Sequence, residues 1–118
     1  MKLKAIKKLV KEEKYALALA RLESLLMHQQ ECPYLWTLRG DLIQLYETQD
    51  GPPLKEAAIS YRKALRLDPH DLYAIKSLAH FYDAVEPKPA TAKRYAEAYI
   101  AKAKCGLAEM ERVIADEA

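Results

Sequence analysis

At 118 residues, 51% hydrophobic and 31% charged, the chain has the length of one domain and a composition that excludes a disordered segment. A formal net charge of +2 is too small to point to a nucleic-acid partner by itself. With only three glycines and abundant Ala, Leu, Lys and Glu, the sequence favours helices, because these side chains lose little freedom in them.

Apolar residues recur in steps of three and four along most of the chain, the period of an amphipathic helix. Leu3, Ile6, Leu9 and Val10 predict a short first helix. It lies in a basic stretch, with Lys2, Lys4, Lys7, Lys8, Lys11 and Lys14 set against Glu12 and Glu13. Tyr15, Ala18, Leu19, Leu22, Leu25 and Leu26 predict a second helix, and Leu35, Leu38, Leu42, Leu45 and Tyr46 a third. Pro33 suits the first turn of the third, where a missing N–H costs nothing. Asp50-Gly51-Pro52-Pro53 breaks the chain before a fourth helix on Ala57, Ala58, Tyr61, Ala64 and Leu65, and Asp68-Pro69 stops that helix. Leu72, Ile75, Leu78, Ala79 and Tyr82 predict a fifth.

After Glu86-Pro87-Lys88-Pro89, a sixth helix is predicted from about Ala92 to about Ala115, through Tyr95, Tyr99, Ile100, Leu107, Met110 and Ile114. Gly106 interrupts it at a cost of only about 1 kcal/mol. A continuous helix would leave Leu107, Met110 and Ile114 uncovered. The competing arrangement is a bend at Gly106 that folds residues 107–115 back as a cap. No segment alternates as a strand would.

The helices repeat. Ala18, Ala57 and Ala96 lie 39 residues apart; Leu22, Tyr61 and Ile100 follow in the same register, as do Leu25, Ala64 and Ala103. Trp36 matches Ile75, Gly40 matches Ala79, and Ile43 matches Tyr82, so the register holds in both helices of a pair. The small residues Gly40, Ala79, Ala57 and Ala64 belong where helices approach closely. Trp36, Tyr61, Tyr82 and Ile100 are expected to fill the space between hairpins.

This pattern resembles the tetratricopeptide repeat family, whose motif is W-x2-L-G-x2-Y, then A-x3-F, then P. Trp36, Gly40, Ala57-x3-Tyr61, Ala64-Leu65 and Asp68-Pro69 carry the resemblance in repeat two. In repeat three it rests on Ile75-x2-Leu78-Ala79-x2-Tyr82 and Ala96-x3-Ile100, and in repeat one on Tyr15, Ala18-x3-Leu22 and Leu25-Leu26. Arg39 and Ile43 depart from the family's Leu and Tyr, and Gln30 stands where repeat one would close on Pro. From Gly40 to Ala57, and from Ala79 to Ala96, the chain is longer than the family interval, and this lengthening of the hairpin loops resembles Sel1-like repeats.

The resemblance implies a right-handed α-solenoid of three antiparallel hairpins over residues 1–118. The repeats fall at about 2–30, 33–69 and 71–105, with a helical extension at 106–116. It also implies a concave groove, lined by the first helix of each hairpin, that binds a peptide or helix of another protein. Position by position, the groove would hold Lys4, Lys7 and Lys11, then Tyr34, Thr37, Asp41, Gln44 and Leu45, then Tyr73, Lys76, His80 and Asp83. Tyr34 and Tyr73 are equivalent positions and candidate anchors, since Tyr gives contact area at low entropic cost. One subfamily grips a C-terminal carboxylate; its slots here hold Leu3, Lys7, Leu38, Tyr73 and Ser77, so that clamp is absent.

An adaptor or small chaperone is therefore expected, with a self-associating scaffold subunit using Leu107, Met110 and Ile114 as the alternative. No catalysis is expected: no phosphate loop, dinucleotide fingerprint or nucleophile elbow is present, and His80 has no nucleophile or paired carboxylate near it in sequence. His28 and Cys32 are spaced like two metal ligands but lack a second pair, so neither metal nor cofactor is expected. Cys32 and Cys105 read as free thiols. No secretory or membrane-spanning run is visible, which points to the cytoplasm, with neither a nucleic acid nor a membrane as partner.

Overall fold

The computed structural model describes residues 2–46 and 51–117. Asp50, the first residue of the break before the fourth helix, lies outside them. The described residues form six α-helices and no strand. They divide into two compact units, Met1–Pro69 and His70–Ala118, at the junction of the second and third repeats.

In the first unit, α1 (Lys2–Lys11) buries Ile6 and leaves its lysines exposed. The helix closes in a Schellman turn: the Lys14 N–H donates to the Leu9 carbonyl and the Glu13 N–H to the Val10 carbonyl, both at 2.9 Å. Glu13 thereby sits at φ 60°, where glycine is the usual residue. The turn sends the chain into α2 (Tyr15–His28), which buries Ala18, Leu19, Leu22, Leu25 and Leu26 against its neighbours. Next, α3 (Pro33–Leu45) starts on the predicted proline and buries Leu35, Leu42 and Ile43. It packs on α2 and forms a hairpin with α4 (Lys55–Leu67), which buries Ala57, Ala58, Tyr61 and Ala64 and stops before Asp68.

The α3–α4 approach is as close as the small residues imply. A Cβ at Gly40 would lie 2.6 Å from Cε1 of Tyr61, so only glycine fits beside this ring. Tyr61 is held end-on: its hydroxyl donates to Asp41 Oδ1 at 2.6 Å and accepts from Gln44 Nε2 at 2.8 Å. Arg39, the departure from the family's Leu, ties three helices together. It donates to Glu23 of α2 at 2.6 Å, to Ser60 Oγ of α4 at 2.7 Å and to Glu56 at 3.3 Å.

In the second unit, the Asp71 carboxylate caps α5 (Leu72–His80) by accepting from the Ala74 N–H at 3.1 Å. The helix continues into a π-helical turn, Phe81–Val85, where the Glu86 N–H reaches the Phe81 carbonyl at 3.0 Å. The wider turn buries the adjacent Phe81 and Tyr82 together, with their rings edge to face at 5.2 Å. Tyr82 also stacks on Tyr95 of α6 (Pro89–Glu117) at 6.1 Å.

Two expectations need correction here. The third hairpin does not have a long loop: the extra residues extend its helices through the π turn and from Pro89, leaving residues 86–88 as the connection. Ile100 does not fill a core but is 51% exposed. The half-buried stripe of α6 runs through Ala92, Tyr95, Ala96, Tyr99 and Ala103, and Ile100 lies at its edge. With 29 residues, α6 spans about 43 Å, roughly twice the reach of residues 72–85. The helix runs straight through Gly106, as one continuous element, and residues 107–115 do not fold back.

Candidate functional site

In the first unit the surface begins with α1. Its apolar face is fixed on α2, which turns the lysines outward. Pro33 starts α3 beside this edge, so Tyr34 stands in the first helical turn and remains 46% exposed. The Lys7 ammonium lies over the Tyr34 ring, 5.3 Å from its centroid, a cation–π contact that orders both side chains. Next to them is a cleft of about 470 Å³ lined by Lys2, Leu3, Leu25, Gln29, Cys32, Tyr34 and Leu35. Its floor is leucine and its rim is cationic and aromatic. Lys11 is exposed in the last turn of α1, and Lys4 is exposed on the same helix.

Three of the candidate residues on α3 have other roles. Thr37 is buried at 4% exposure, and its hydroxyl donates to the Tyr34 carbonyl at 2.8 Å, so it is not a contact surface. Asp41 and Gln44 are half-buried and engaged by the Tyr61 hydroxyl. A periodic pattern places a residue on a helix face but does not reveal its hydrogen-bond partner or how deeply it is buried, so these engagements are not legible in the sequence. Leu45, at the same end of α3, is exposed.

In the second unit, α5 carries Tyr73, Lys76 and His80, all exposed, at spacings of three and four. Tyr73 is 52% exposed. Asp83, on the π-helical turn, is exposed too. His80 and Asp83 border a shallow recess of about 380 Å³ with Ala79, Pro89, Ala92, Lys93 and Ala96.

Sequence reasoning missed Lys2, Gln29 and Cys32 in the first cleft and Lys93 in the second recess. The first cleft forms where the start of α1, the end of α2 and the start of α3 converge. No single-helix periodicity records such a junction; the only signal was the Cys32-Pro33-Tyr34 turn. Among the described residues, no three His, Cys, Asp or Glu side chains gather as metal ligands. No helix of the described residues is long and apolar enough to cross a membrane.

No protein-family model and no curated protein matches the sequence. Solved structures do. MamA 41-end from Desulfovibrio magneticus RS-1 is similar with a TM-score of 0.77 at 19% identity, covering 88% of this chain and 55% of that one. The MamA RS-1 ArsTM double mutant gives a TM-score of 0.78 at 19% identity, over 89% of this chain and 56% of that one. The chain thus spans a little over half the length of these neighbours. At this identity the likeness establishes the architecture: an all-α, tetratricopeptide-like repeat of helical hairpins with a long final helix.

Proposed function

We propose that this chain is a protein-interaction module, an adaptor or small chaperone of the cytoplasm that binds a peptide or helix along the first helices of its hairpins. It has no catalytic role in this reading. The observation that carries it is the cleft beside Lys7 and Tyr34: an apolar floor under a rim of lysine and tyrosine suits a partner segment with an apolar side chain next to a carboxylate. The α1 lysines extend that preference, since no acidic residue lies within α1 to neutralise them. Tyr73, Lys76, His80 and Asp83 supply the corresponding contacts of the second unit.

A photoreactive residue placed at Tyr34 or Tyr73, and at Lys55 as a control, tests the reading in cell extract. The expected result is one shared partner cross-linked from positions 34 and 73 and absent from 55. Equal labelling from all three positions, or none from the tyrosines, would overturn it. A second reading, a self-associating scaffold, is favoured by the exposed apolar residues on α6.

A further inference from the structure

The face of α6 that packs on α5 continues past the end of its partner. Lys102 Nζ lies 3.2 Å from His70 Nδ1, just before α5 begins, so the hairpin finishes at that level. Fifteen residues further, Glu117 still belongs to the helix, about 22 Å beyond. Over this stretch the hairpin-facing stripe is bare. Leu107, Met110 and Ile114 are 62%, 57% and 71% exposed, and Val113 is 47% exposed.

The spacing of the stripe is narrower than that of an ordinary amphipathic helix. Ala103, Leu107, Met110 and Ile114 follow steps of four, three and four, the seam of a two-helix coil with a seven-residue repeat. Its charge is polarised along the axis: Lys102 and Lys104 lie at the near end, and Glu109, Glu111 and Asp116 outnumber Arg112 at the far end. In parallel alignment the flank of Lys104 and Glu111 would face that of Gly106 and Val113, which offers these charges no partner. Antiparallel alignment sets lysine against glutamate.

We infer that the projecting part of α6 docks on the same segment of a second copy of this chain, antiparallel, with Leu107 packing on Met110 of the other copy and Ala103 facing Ile114. That register uses all four large apolar residues exposed on the projecting segment, Leu107, Met110, Val113 and Ile114. The large Ile114 meets the small Ala103 in both outer layers. Lys104 and Glu111 fall opposite each other on one flank, twice by symmetry. Val113 falls opposite Gly106 on the other flank, and Gly106 has open space around its Cα, with nothing within 4 Å of a Cβ built there. The symmetry is isologous, so the pair closes on itself and does not propagate. The inference uses a different surface from the peptide-binding reading and stands or falls independently of it.

Sedimentation velocity over a concentration series of the full chain tests it. The expected result is a rise from the 13.5 kDa chain mass to twice that value. Lys104→Glu and Glu111→Lys, each alone, set like charges together and should weaken the dimer at least tenfold. Mixing the two single variants should restore it as a heterodimer, because every flanking pair is then opposite in charge. Both positions lie on exposed helix, and far-UV circular dichroism confirms that the variants fold. A chain that stays monomeric at every concentration overturns the inference. So does dimerisation that ignores the charge changes, or single variants that fail to rescue each other.

Discussion

Tyr61 shows how much one side chain can fix. Its ring fills the space left by Gly40, and its hydroxyl occupies two polar side chains of the opposite helix. Gly40→Ala would drive a methyl into that ring, and thermal melts should show a loss of about 1–3 kcal/mol. A comparable loss is expected from Arg39→Ala, about 1–3 kcal/mol, because three charge-assisted or polar contacts between α2, α3 and α4 disappear together. Glu13 offers the opposite case. Its backbone is held in the left-handed region by the Schellman turn, where a side chain crowds the following carbonyl. Glu13→Gly should raise stability by about 1 kcal/mol, read as a shift of the urea midpoint with an unchanged slope.

At the scale of elements, helix number and hairpin pairing were legible in the sequence, because periodicity and breaks survive without tertiary knowledge. Pro33 and Asp68 marked ends that the structure keeps. What was not legible depended on which face of each helix its neighbours cover. The expected core position Ile100 keeps the repeat register, yet it lies at the edge of the α6 face that its hairpin covers. The π-helical turn escaped for a related reason: an extra residue in a helix changes hydrogen bonding without disturbing the apolar pattern enough to be read. Within α6, Gly106 meets no neighbour and adopts helical backbone. Gly106→Ala should therefore slow amide exchange across residues 104–115, by the equivalent of about 1 kcal/mol of helix propensity. Exchange rates left unchanged there would mean that this stretch is already locked by something other than its own propensity.

Across the whole molecule, charge is unevenly spread although it nearly cancels in sum. The helix that opens the chain is lysine-rich and the far end of α6 is acidic. Binding of an acidic partner at the first cleft should weaken as salt rises, because exposed charges are screened beyond about 10 Å at 0.1 M. Tyr34→Ala and Lys7→Glu should each weaken binding and leave the melting temperature nearly unchanged, since both side chains are largely exposed. The candidate surface was only partly legible for a physical reason. Exposure can be inferred from period, as for Tyr34, Tyr73 and Lys76. Competition for a polar side chain by its own fold cannot, as Thr37, Asp41 and Gln44 show.

The distribution of aromatic residues gives the molecule a built-in optical probe. Trp36 is the single tryptophan of the chain. Its indole N–H donates to the Gln30 carbonyl at 2.8 Å, and the Lys63 ammonium lies 5.6 Å from its ring centroid, so it senses the α2–α3 turn and the α4 surface. Excitation selective for indole reports on the first unit alone. The second unit carries tyrosine and phenylalanine but no indole, and is silent under the same light. Comparing indole emission with far-UV ellipticity during denaturation therefore separates events in the two units without any label. A substitution such as Gly40→Ala should move the emission transition by at least as much as the ellipticity transition.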